Sequence, residues 1–238
     1  MRYVPDKTGR FRLRPHYDPA ELDHECEITI SDFMREVCGD FSLPIPTDIL
    51  TKLIERDSQY LDLYADLSEE DGNDVEGVTH FQPGNKPIVR ISGSLSNIDY
   101  RNHRLRTTLT HEYGHVRFHD YLYQTDEGSG DLFPDAFVRR PLKCKRDKMM
   151  DAPLSDWMEW QAGYICGAIL MPAGSVRALV SDYRKEHEIN ASIAEESRTG
   201  QGLISVVAGA CDVSKDAARV RLLKLHHVVG GKTTGALY

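Results

Sequence analysis

Apolar residues along this chain recur at two spacings, the helical and the strand period, and each marks out elements. Residues 1–24 show neither, being rich in Arg, Asp, Glu and Pro, and an irregular N-terminal arm is expected there. A helix is predicted from near Ser31 to Cys38. A second opens after Pro44-Ile45-Pro46, with Thr47 as its N-cap and Leu50, Leu53 and Ile54 on one face. Leu61–Ala65 reads as a short strand. Val75–Phe81 and Pro87–Ser92 read as two more, joined through Pro83-Gly84-Asn85 as a hairpin.

A long helix follows from about Arg104 to Tyr123, with Leu105, Thr108, Leu109, Val116 and Leu122 on its apolar side. The stretch from Gln124 to Pro153 has little periodicity, and its length predicts a functional flap. Another helix is expected from Asp156 to Leu170, stopping before Pro172. Helical patterns return over 174–189 and 202–228, and Gly230-Gly231 opens a tail expected to fray. Within 204–224 the rhythm is that of a helix-turn-helix, with one helix ending near Cys211 and Ser214 capping the next. Its second helix carries few basic residues, so a structural helical pair is preferred to a DNA reader.

One segment changes the picture from architecture to chemistry. His111-Glu112-Tyr113-Gly114-His115 lies inside the predicted long helix. Residues four apart share a helical face, so both imidazoles can reach one ion. Glu112 is rotated about 100° from His111. It stands beside the metal rather than on it, placed to take a proton from a water whose pKa zinc lowers to roughly 7. Random placement produces such a motif in on the order of 3% of chains this rich in His and Glu.

Catalytic zinc needs a third protein ligand and an open fourth position. Glu159 is the candidate, because Ala162 and Gly163 lie on its helical face and allow close approach to the first helix. Gly114 would serve the same approach from the other side. The alternative for Glu159 is a capping pair with Asp156. His119 shares the face of His115 but lies about 12 Å along the axis from His111, which makes it a core or outer-shell histidine.

These residues resemble a known family. Arg104-Leu105-Arg106-Thr107-Thr108-Leu109-Thr110-His111-Glu112-Tyr113-Gly114-His115, with His119 beyond it, resembles the zinc-binding segment of ImmA/IrrE-type metallopeptidases. Glu159-Trp160-Gln161-Ala162-Gly163 followed by Ala168-Ile169-Leu170-Met171-Pro172 resembles that family's second ligand helix. The resemblance implies an α+β, zincin-like metallopeptidase domain over 25–175, with a small mixed sheet packed on the HExxH helix. A C-terminal helical region, helix-turn-helix-like, would then occupy 176–238. His111, His115 and Glu159 become the metal ligands, and Glu112 the catalytic base.

The implied activity is a zinc-dependent endopeptidase that cleaves or inactivates a helix-turn-helix repressor. The alternative is a regulator or toxin–antitoxin component that sequesters a repressor or antitoxin around a structural metal. Zn2+ is the expected ion, although a two-His, one-carboxylate set also accepts Mn2+ or Fe2+. In zincins an extended substrate pairs with a strand edge, and Pro87–Ser92, with a proline at its start, is the candidate edge. Gly163 stands where the family usually has Asn, a departure that implies weaker metal affinity or conditional activity.

Composition narrows the partners. The 238 residues carry a net charge of −8, which disfavours a general nucleic-acid surface. The strongest basic run, Arg139 to Lys148, is either a solvated loop or a border of the cleft. Tyr113 is a minor candidate for an oxyanion donor, and Trp157 and Trp160 are expected to pack the ligand helix. No apolar leader or spanning segment is evident, and five cysteines without a C-x-x-C fit a cytoplasmic protein with free thiols.

Overall fold

The computed structural model describes residues 1–68, 75–96, 101–124 and 156–230, together with the backbone of 142–145. The fold is mixed α+β. Two short antiparallel strands, β1 (Arg2–Pro5) and β2 (Leu13–His16), form an N-terminal hairpin. Helix α1 (Pro19–Cys38) follows at once, so the irregular arm expected over 1–24 is a hairpin and the first turns of a helix. Its start is built locally. Pro19 occupies the first helical turn, and the Glu21 carboxylate accepts from the Asp18 N–H at 2.9 Å. Its buried stripe of Leu22, Cys26 and Ile30 advances one residue per turn between charged neighbours, too narrow to stand out in the sequence. Gly39, with φ of 82°, ends the helix in the left-handed conformation that glycine tolerates.

Helix α2 (Thr47–Asp57) buries Ile49, Leu50, Leu53 and Ile54. It leads into a sheet of β3 (Tyr60–Ala65), β4 (Val75–Gln82), β5 (Asn85–Ser92) and β6 (Leu142–Lys145), in the order β3-β5-β4-β6. Strands β3 and β5 are parallel, and the other pairs antiparallel. The expected edge strand Pro87–Ser92 is therefore central, with β3 on one side and β4 on the other. Pro87 is accommodated at the start of β5, where its carbonyl accepts from Gln59 and its missing N–H costs no ladder bond. Among the described residues the sheet's edges are β3 and β6.

After the short α3 (Gly93–Ser96) comes α4 (Asn102–His119), which continues as a 3-10 turn to Tyr123. Helix α4 packs on the sheet through β4 and on α5 (Trp157–Leu170), a helix buried at every residue except Trp160. The contact with α5 is close because α4 presents no side chain at Gly114. A Cβ there would sit 3.0 Å from the Cα of Ala162.

The chain ends in α6 (Ala173–Glu186), α7 (Arg198–Cys211) and α8 (Lys215–Lys224). The expected break near Cys211 is present, and the Ser214 side chain caps α8 by accepting from the Ala217 N–H. These helices share the main core: Val176, Leu203, Val207 and Leu222 pack in one cluster with Leu22, Leu50, Ile91, Leu109 and Ile165. Arginines fasten them further. The Arg106 guanidinium donates to the carbonyls of Ile45, Cys211 and Asp212. Arg221 donates to the Met171 carbonyl and pairs with Asp23 at 2.7 Å. Helix α8 thus turns Ala217, Ala218, Val220, Arg221 and Leu222 inward.

Among the described residues no single helix is long and apolar enough to cross a membrane. The flap predicted over Gln124–Pro153, the basic run and the terminal tail lie outside the described residues, apart from Gln124, strand β6 and Gly230.

Candidate metal centre

Helix α4 is polar yet enclosed. His111, Glu112, His115 and His119 are all 0% exposed. Buried polar side chains must find partners within the protein or hold something that partners them. The helical repeat brings the Nε2 atoms of His111 and His115 to 3.2 Å from each other. Helix α5 brings Glu159 to the same point, with Oε2 3.1 Å from His111 Nε2 and Oε1 3.4 Å from His115 Nε2. Donors about 2.0–2.1 Å from a shared tetrahedral ion lie roughly 3.3 Å apart, so these separations fit a cation among the three groups. His111, His115 and Glu159 form a buried group able to hold a metal ion. Glu159 faces the two histidines, which is where the ligand reading puts it, and α5 starts with no side-chain cap bond from Asp156.

Glu112 stands beside this group. Its carboxylate accepts from the Thr79 hydroxyl of β4, while Oε1 has no hydrogen-bond partner among the described residues. Gly77 makes room for it: a Cβ there would lie 2.5 Å from Glu112 Oε1. Burial raises the Glu112 carboxyl above its ordinary range, against the pull of His115, His111 and the Thr79 bond. Burial also acts to raise Glu159, but His115 and His111 outweigh it and hold that carboxyl well below the usual range. The two carboxyls are thus shifted in opposite directions.

His119 lies behind His115, outside the three-residue group. Its Nδ1 lies 2.9 Å from His115 Nδ1, and its Nε2 lies 3.0 Å from Gln161 Oε1. Trp157 meets the His119 ring edge-on at 5.5 Å, and Phe11 and Arg14 of the N-terminal hairpin cover Trp157 in turn. Tyr113 takes no part, because its hydroxyl donates to Asp57 of α2 at 3.0 Å. Cys166 is buried, as a core thiol.

Thr79, Gly77 and Gln161 were not singled out by the motif. A signal existed for each. Gly77 and Thr79 alternate as small residues on one face of β4, and Gln161 joins Glu159 as the only amide or charged side chains between Trp157 and Leu170.

Burial holds the His119 ring well below its ordinary pKa of 6.5. The unfolded chain then takes up a proton that the folded chain refuses. The stability tied to His119 is complete above about pH 6.5 and is lost as pH falls, with a slope of up to about 1.4 kcal/mol per pH unit. Thermal or urea unfolding of metal-free protein between pH 7 and 5.5 should show this acid loss, and His119→Asn should flatten it. Glu112 acts in the opposite sense, since acid relieves its buried charge, so the difference between the two proteins isolates His119.

No protein-family model matches the chain, and no curated protein matches it.

Proposed function

We propose that this chain is a zinc-dependent endopeptidase of the ImmA/IrrE type, with a zincin-like domain, that cleaves a helix-turn-helix repressor. The observation that carries the reading is the convergence of His111, His115 and Glu159 with Glu112 held alongside but outside the ligand set. Zinc held by His111, His115 and Glu159 would supply Lewis acidity at this point. Glu112 would act as the general base, its carboxylate taking a proton from the attacking water and passing it to the leaving nitrogen. Thr79 and Gly77 fix where that carboxylate stands. Strand β6 offers an edge next to β4 for an extended substrate, by strand addition. The repressor as substrate follows from the family resemblance.

A second reading draws on the burial of all three ligands. In it the metal is structural, joining α4 to α5, and the protein inactivates a repressor or antitoxin by sequestering it. One experiment separates the two. A purified small helix-turn-helix protein encoded beside this chain is incubated with zinc-loaded or chelator-stripped protein and followed by mass spectrometry. Zinc-dependent fragments with one defined new terminus are expected. An intact partner in a stoichiometric complex would replace the peptidase with the second reading.

A further inference from the structure

The hydrogen bonds behind His115 form a chain with a fixed direction. At its far end is the backbone carbonyl of Pro15, in β2, which can only accept. Gln161 Nε2 lies 3.2 Å from it. The amide must therefore turn its NH2 toward Pro15 and its Oε1 toward His119. Oε1 can only accept, so the proton of the neutral His119 ring sits on Nε2, at 3.0 Å. At this fully buried position desolvation disfavours a charged ring. His119 Nδ1 is then bare and accepts from His115 Nδ1 at 2.9 Å. His115 is left with an unprotonated Nε2, the atom directed at His111 and Glu159.

We propose that His119 and Gln161 are positioning residues that lock His115 in the metal-binding tautomer, with the Pro15 carbonyl setting the direction of the chain. The N-terminal hairpin thereby acts on the metal centre without touching it. This rests on the metal reading of the site and is independent of any hydrolysis.

Two readouts test it. In zinc-free wild-type protein, 15N-resolved imidazole spectra should show His115 protonated at Nδ1 and bare at Nε2. Zinc affinity, by competition with a chromophoric chelator, should fall about 10–100-fold in His119→Leu, the usual effect of losing an outer-shell partner. His115 should then populate both tautomers. In His119→Asn the Oδ1 atom takes the place of the lost Nδ1, so affinity and the Nδ1–H tautomer should recover toward wild type.

A packing role alone predicts the reverse order, because leucine fills the buried volume better than asparagine. That order, or an Nε2-protonated His115 in the wild-type spectrum, would overturn the proposal. Should His119→Leu fail to fold, Gln161→Met removes the acceptor at the other end and should lower zinc affinity in the same way. Wild-type protein that binds no zinc would end the metal reading, while the tautomer spectrum would still decide the hydrogen-bond chain.

Discussion

Glu112→Gln should keep zinc bound and lower cleavage of the repressor by about 10²–10⁴-fold, the usual contribution of a positioned general base. The substitution changes charge and basicity but scarcely changes shape. Its amide oxygen can still accept from the Thr79 hydroxyl, and the ligands His111, His115 and Glu159 are untouched. Zinc content measured on the purified variant, next to its single-turnover cleavage rate, separates the two effects. Undiminished cleavage by a zinc-loaded variant would remove Glu112 from the chemistry. Loss of zinc together with activity would make Glu112 part of the metal site rather than a base beside it.

Arg106→Met should destabilise the zinc-free protein by about 3–5 kcal/mol, comparable with removing one partner from a buried ion pair. The guanidinium is 1% exposed and serves three backbone carbonyls, at Ile45, Cys211 and Asp212. Methionine fills much of the volume but donates nothing, so buried acceptors lose their partner at about 1–3 kcal/mol each. Urea unfolding should show a lower midpoint with an unchanged slope. The measurement uses zinc-free protein because bound metal adds its own stabilisation. A loss under about 1 kcal/mol would mean that water replaces the guanidinium at those carbonyls.

The parts of the molecule visible in its sequence are those whose signal is local. A four-residue repeat of histidines on one helix is enough to bring two ring nitrogens together. Small residues at 114 and 162 announce that a second helix can come near. Ser214 at the start of α8 signals its cap through its own side chain. The rest depends on residues far apart in the chain. Whether β5 is an edge depends on β3 arriving in parallel beside it, which no property of Pro87–Ser92 records. The start of α1 was hidden because charged residues surround its thin buried stripe. Thr79 and Gln161 acquire meaning only when the sheet and α5 close on α4. Pro15 matters through its carbonyl oxygen, a group every residue carries.

The empty space at Gly77 gives a criterion for reading other chains. One added carbon there would collide with the Glu112 side chain. If Glu112 is the base proposed above, a relative that keeps the paired histidines and the distant glutamate but bears alanine or anything bulkier at this point of the sheet should be a catalytically silent metal protein. Sorting by the two-histidine motif alone would count it among the active ones.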